Sequence, residues 1–223
     1  MAQVVTLKYL DLPAALGKPV AGRGGSVRFF LKYHDVEYSE QLVSLQDWNG
    51  SIKAEAIKTN ESPAGYLPVL TTASGLQLTE HVALMRYIAA ANHLESQEGA
   101  EGAAKQDVLA STQIQWRDDL IAAAFSSNAE DKTKYTNEKA GKHLTTLEAL
   151  YTKYKDTDDE SPFVSPTESG KALWGDMAVF GVLHDQVQLG LVDPIVYAEY
   201  PRLKAVYDAL NGDSAIASWI ANH

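Results

Sequence analysis

The chain has 223 residues, 45% of them apolar and 22% charged, with a formal net charge of −10 and no cysteine. Such a length and balance suit a soluble globular protein of one large or two small domains. The acidic excess argues against nucleic acid and anionic membranes as partners, because both call for a basic face.

Further exclusions come from single residue types. Without cysteine there is no disulfide framework, no thiolate metal site and no protein thiol nucleophile. The six histidines are scattered with no i,i+4 pair, so no metal site is expected. Neither a dinucleotide fingerprint after the first strand nor a G-x-S-x-G elbow is present. The opening "MAQVVTLKYLD" lacks a basic stretch followed by a long apolar core, so no secretory leader is expected. No apolar run approaches the ~18 residues of a membrane span. The expected location is the cytoplasm.

In chain order, "VVTLKYL" (residues 4–10) is rich in β-branched residues and predicts a strand. A loop through Pro13, Gly17, Pro19, Gly22, Gly24 and Gly25 follows. "SVRFFLKYH" then spaces Val27, Phe30 and Leu31 as a helix does. "VEYSEQLVSL" alternates as a second strand and leads into a loose segment. "YLPVL" has strand composition, yet Pro68 has no N–H for a ladder, which places it at an edge or a bulge. Ser74-Gly75 marks a turn, "LQL" a short strand, and Thr79 the cap of a helix "EHVALMRYIAA". The order β-α-β, loose segment, β-β-α predicts a parallel unit plus a hairpin in one small α+β domain. Free N–H groups at the start of the last helix, with its dipole, favour a carboxylate.

Composition shifts at residues 92–107 to Gly, Ala, Glu and Ser, as in a linker. Beyond it, "AAKQDVLASTQIQWRDDLIAAAF" and "EKAGKHLTTLEALYTKY" predict long amphipathic helices. "KDTDDESPFVSPTESGK" predicts an acidic surface loop and "LWGDMAVFGVLHDQVQLGL" a buried helix. Shorter helices follow Pro194 and Pro201. The expected boundaries are 1–92 for the α+β domain and 104–223 for the all-helical one.

This arrangement, over nearly the whole chain, resembles the cytosolic glutathione S-transferases. "AGYLPVL" looks like the family's strand with a cis-proline, and "LTEHVALMRYIA" like the helix start after it. "KYL…GRGGSVRFFLKYHDVEY" is similar to the opening of the sigma, mu and alpha types. "LQDWNGSIK" and "WGDMAVFGVL" match two further family segments. The resemblance implies a thioredoxin-like N-terminal domain, an all-α C-terminal domain, glutathione as cosubstrate or catalyst, and a homodimer.

Residue roles follow from the same resemblance. Pro68 is cis and exposes the backbone of Leu67 to the cysteinyl unit of glutathione. The γ-glutamyl carboxylate sits on the helix that starts near His81, and Glu80 pairs with the γ-glutamyl ammonium. His81 stands where the family has Ser, so a hydroxyl contact is lost. Lys53 meets the glycyl carboxylate, and Trp48 either adds an indole donor or covers the sheet. Asp119 matches an acid that reaches the neighbouring subunit's glutathione. Tyr9 is the hydroxyl that donates to the thiol and stabilises its thiolate. Ser26 is the rival hydroxyl, and Arg23 an electrostatic helper. The stretch "DLPAALGKPVAGRGG" is longer than the family's usual connection. Leu173 occupies the place of a Ser/Thr helix cap, whose loss typically costs ~1 kcal/mol.

Three functions stay open on the sequence. The first is transfer of the glutathione thiol to a hydrophobic electrophile, in a pocket that includes side chains near Trp116. The second is cis–trans isomerisation of a double bond by reversible thiol addition. The third is a non-catalytic binding module on the same fold.

Overall fold

The computed structural model describes residues 5–155 and 160–223. Val4, at the head of the expected first strand, and residues 156–159 of the acidic loop lie outside the described residues. The chain divides into two compact units, Met1–His93 with Ser214–His223, and Leu94–Asp213.

In the first unit, strand β1 (Val5–Leu10) buries Val5, Leu7 and Tyr9 and half-buries the residues between them, as period-2 alternation dictates. A short helix α1 (Leu12–Leu16) leads to helix α2 (Gly22–Tyr33) and strand β2 (Tyr38–Val43). After β2 come helix α3 (Leu45–Asp47), a π turn (Trp48–Ile52) and helix α4 (Lys53–Lys58). Strands β3 (Val69–Thr71) and β4 (Gln77–Thr79) form the hairpin, and helix α5 (His81–Ala91) closes the first stretch. The sheet order is β2-β1-β3-β4, with β1 parallel to β2 and antiparallel to β3. This is the expected thioredoxin-like α+β arrangement. Helix α2 packs on β1 and α5, with Val27, Phe29, Phe30 and Leu31 all fully buried. Each such side chain contributes about 1.5–3 kcal/mol of apolar transfer energy.

Several local expectations are corrected. The predicted loop after β1 holds α1, because Asp11 accepts from Ala14 N and Pro13 stands in the first turn, both helix-start signals. Helix α2 starts at Gly22, a full turn before Ser26. The loose segment is helical from Leu45 to Lys58, started by the Ser44 hydroxyl, which accepts from Asp47 N at 3.0 Å. Thr79 ends β4 and does not cap α5; the cap position is Glu80.

The second unit is helical, as expected. It comprises α6 (Gly99–Ala124), α7 (Ala129–Lys134), a π turn (Tyr135–Lys139), α8 (Ala140–Tyr154), α9 (Trp174–Gln188), a 3-10 turn (Pro194–Glu199) and α10 (Pro201–Asn211). Half of the predicted linker is therefore the first turns of α6. A further helix that the sequence reading lacks, α11 (Ser214–Ala221), belongs to the first unit, where Trp219 packs edge-on to Phe29 with ring centres 5.2 Å apart. No described helix is long and apolar enough to cross a membrane.

The core of the second unit is α9, whose side chains are buried from Trp174 to Gln186. Leu173 indeed offers no capping side chain. The expected loss is made good from α6: Gln106 Oε1 accepts from Gly175 N at 2.6 Å and from Asp176 N at 3.2 Å. Gln106 Nε2 donates to Val164 O and to Asp176 Oδ2. A side chain 70 positions away thus takes the first-turn donors that a local Ser or Thr would take.

Candidate functional site

The sheet register brings the predicted residues of the first unit together. The last ladder pairs across three strands are Lys8↔Val69 and Val69↔Thr79. One step beyond them, Tyr9, Pro68 and Glu80 stand in a row across the end of the sheet, with Leu42 beside Tyr9 on the outer strand. Three strands thus bring the positions of a tyrosine, a proline loop and a carboxylate to one end of the sheet.

Pro68 follows a cis peptide bond, as expected, and is buried. The ladder begins at Val69, so the backbone of Leu67 lies outside it. Ser62, fully buried, shapes this loop: its Oγ donates to Tyr66 O at 2.7 Å and accepts from Tyr66 N at 2.9 Å. Leu67 packs against a cluster of Val43, Trp48 and Ala56, together with Leu10 and Ile52. Trp48 is only 6% exposed, so its place is in that cluster. Lys53 is exposed, yet its stem crosses the proline loop: its Cε lies 2.8 Å from where a Cβ on Gly65 would stand.

Glu80 is exposed and holds φ 70° and ψ 103°. That left-handed value costs an L-residue about 1–3 kcal/mol, and it is held at the junction of β4 with α5. Glu80 O accepts from Leu84 N at 3.0 Å, so the residue starts the helix by its backbone. His81 follows as the first helical residue and is buried. The first turn of α5 thus begins directly at the end of β4.

The hydroxyl candidates differ in placement. The Tyr9 ring lies on the first turn of α2, against Gly24, with its hydroxyl over Gly22. Arg23 stands between those two glycines, half-buried. Ser26 is fully buried, and its Oγ points back to Gly22 O at 3.4 Å.

Asp119 lies in the second unit, on α6. It accepts from Lys139 Nζ at 2.6 Å and pairs with His143 Nε2 at 2.9 Å. Burial pushes its carboxyl up, but hydrogen bonds and charge from Lys139 and His143 outweigh this and hold it below the usual range. Trp116 is completely buried and donates to Tyr135 OH at 2.8 Å, so it lines no open pocket.

Sequence reasoning missed Ser62, Gly22 and Gly24 as shaping residues. The glycine pair after a tyrosine-bearing strand was the available signal, since glycine is the residue that lets another group approach a backbone closely. Ser62 left no such signal.

Comparison with known proteins places this geometry. Residues 114–223 match the family described as glutathione S-transferase, C-terminal domain. No curated protein sequence matches the chain significantly. Among solved structures, a Pi-class glutathione S-transferase of Onchocerca volvulus is similar at 18% identity and TM-score 0.74, covering 100% of this chain and 93% of that one. A nematode-specific transferase of C. elegans is similar at 20% identity and TM-score 0.74, covering 99% and 97%. A prostaglandin synthase D of Nilaparvata lugens is similar at 19% identity and TM-score 0.72, covering 99% and 98%. At these identities the likeness is one of fold.

Proposed function

We propose that this chain, whose residues 114–223 belong to the glutathione S-transferase C-terminal domain family and whose whole length takes the cytosolic glutathione S-transferase fold, is a glutathione-dependent transferase. The observation that carries the reading is the row of Tyr9, Pro68 and Glu80 at one end of the sheet.

In this reading the tripeptide lies along that edge. Leu67, outside the ladder, offers its backbone to the cysteinyl unit as a short strand would. The γ-glutamyl carboxylate rests on the first N–H groups of α5, including that of His81. Glu80 takes the γ-glutamyl ammonium. Lys53, held over the proline loop, takes the glycyl carboxylate. Burial of Trp48 supports a packing role beneath Leu67 over a donor role. Asp119 is not needed, since both its oxygens are engaged within its own unit.

Tyr9 donates its hydroxyl to the sulfur. A thiol near its solution pKa of ~8.5 is mostly protonated at pH 7, and a hydrogen bond to the thiolate lowers that value. Ser26 fits this role less well, because its hydroxyl points back to Gly22 O in its own helix. Arg23 adds positive charge nearby. The thiolate then attacks an electrophilic carbon: a C–S bond forms, and either the leaving group departs with its electron pair or a proton from solvent completes the adduct.

The partner in this reading is a second copy of the chain, as the family resemblance implies. Sedimentation at micromolar concentration should give about twice the 24.3 kDa chain mass.

The test is mass spectrometry of an unsaturated electrophile panel with and without glutathione. A mass gain equal to glutathione supports transfer. Unchanged mass with changed retention replaces transfer by reversible addition and isomerisation. No change in either, together with no calorimetric binding of glutathione, would leave only a binding module and defeat the proposal.

A further inference from the structure

The Tyr9 ring rests on a bed of two glycines. A Cβ added at Gly24 would fall on Cγ, Cδ1 and Cδ2 of that ring. A Cβ added at Gly22 would fall on the Tyr9 hydroxyl oxygen and on Leu12 Cδ1, and would stand 3.3 Å from Tyr9 Cζ. The ring therefore lies along the backbone of the first turn of α2, touching Gly24 at its inner end and Gly22 at its hydroxyl end. Gly22 also carries a φ of 63°, which glycine adopts at no steric cost. Leu12 Cδ1, on the helix inside the lengthened loop, approaches the same point over Gly22.

We propose that Gly24, with Gly22, is a positioning residue that sets where the Tyr9 hydroxyl meets the glutathione sulfur. The inference rests on the transferase reading above and adds to it two residues and a part for the long loop. The ring cannot sink toward the helix axis if either glycine gains a side chain. Any methyl there lifts the phenol off its bed, and the hydroxyl, at the far end of the lever, moves most. Gly24 is otherwise an unfavourable choice inside a helix, where alanine ranks far better. Its presence is explained by the ring that lies on it.

The test uses the full-length protein and reduced glutathione. The pKa of the bound thiol is read from thiolate absorbance for wild type, Gly24→Ala, Tyr9→Phe and the double variant. Calorimetric affinity for glutathione should stay within about twofold in Gly24→Ala, because the peptide contacts lie at Leu67, Lys53, Glu80 and α5. The bound thiol should rise by about one unit, a tenfold loss of thiolate at fixed low pH. In the double variant the glycine change should add nothing to Tyr9→Phe, since it acts only through the hydroxyl.

A shifted Tyr9→Phe beside an unshifted Gly24→Ala overturns this inference alone, as does full additivity in the double variant. An unshifted Tyr9→Phe overturns the transferase reading of Tyr9 and the inference with it. If Gly24→Ala fails to fold, Gly24→Ala/Tyr9→Leu decides. Removing the ring should restore folding, because the ring is what opposes the methyl at that point. No recovery overturns the contact itself.

Discussion

The two units hold their polar groups in opposite ways. In the first unit the predicted binding groups, Lys53 and Glu80, are exposed, and Glu80 is kept in a strained backbone conformation. In the second unit several charged and polar groups of α6 and α9 are buried and paired. Arg117 donates to Asp185 at 2.7 Å with both side chains at most 2% exposed. Asp176 accepts from Gln106, from Tyr151 OH at 2.8 Å and from Val164 N at 3.2 Å. Tyr135 donates to Gln186, which donates to Tyr197. Satisfied burial fixes a fold, whereas groups left at an edge are available to a ligand. Substitutions in the second unit should therefore cost stability, and those in the first should cost binding.

The largest effect is expected at Arg117. Arg117→Met leaves the Asp185 carboxylate buried without its guanidinium, which should cost about 3–5 kcal/mol. Urea unfolding measures it. A loss under about 1 kcal/mol would mean that the pair is wetter than its burial indicates.

Second comes the pH response of Asp176. Burial pushes its carboxyl up to about 6, against hydrogen bonds from Gln106, Tyr151 and the backbone that pull it down. The ordinary value is about 3.9, so between about pH 4 and 6 the folded state holds more protons than the unfolded one. Stability should fall as pH rises through that window, by on the order of 3 kcal/mol, and level off above it. Asp119, held low by Lys139 and His143, has the opposite sign: its contribution is present above the ordinary aspartate value and lost as pH falls further. Unfolding free energies from pH 4 to 7 for wild type and Asp176→Asn check this. The variant should lose the slope between 4 and 6.

Gln106 follows. Gln106→Leu strips Gly175 N and Asp176 N of their shared acceptor, and unsatisfied buried donors cost about 1–3 kcal/mol. The thermal midpoint should drop while glutathione affinity holds.

The smallest energetic effect sharpens the contrast best. Glu80→Gly should stabilise the fold by about 1 kcal/mol, because glycine accepts a positive φ. The same change should weaken glutathione binding at least tenfold, roughly 1.4 kcal/mol. Calorimetry and melting on one preparation give both numbers. Stabilisation with unchanged affinity would remove Glu80 from the site.

Much of this was legible from residue patterns. The β-branched content of "VVTLKYL" gave β1, and the spacing of Val27, Phe30 and Leu31 gave α2. Pro68 pointed to an edge or a bulge, whereas it stands just before β3, an inner strand, where its missing N–H breaks no ladder bond. What stayed hidden depended on distant partners. Glycines at 22, 24 and 25 resemble a loop in sequence; the ring of Tyr9 explains the first two inside a helix, and the Ala21 side chain crowds the third. Leu173 looked like a missing cap because Gln106 supplies one from another helix. Helix α11 joins the first unit although it follows the second in the chain, which local pattern cannot reveal. Asp11 followed by Pro13 did carry a helix-start signal that the density of Gly and Pro after it obscured, and Ser44 followed by Asp47 carried another.

The central claim is that Tyr9, at the end of β1, activates the thiol of glutathione held along the sheet edge. Thiolate absorbance against pH, for the glutathione complexes of wild type and Tyr9→Phe, tests it most directly. The hydrogen bond to a charged sulfur contributes roughly 1.5–3 kcal/mol, so the bound thiol should rise by about one to two units in the variant while affinity stays nearly unchanged. A Tyr9→Phe complex that titrates like wild type, beside a Ser26→Ala complex that shifts upward, would contradict the account.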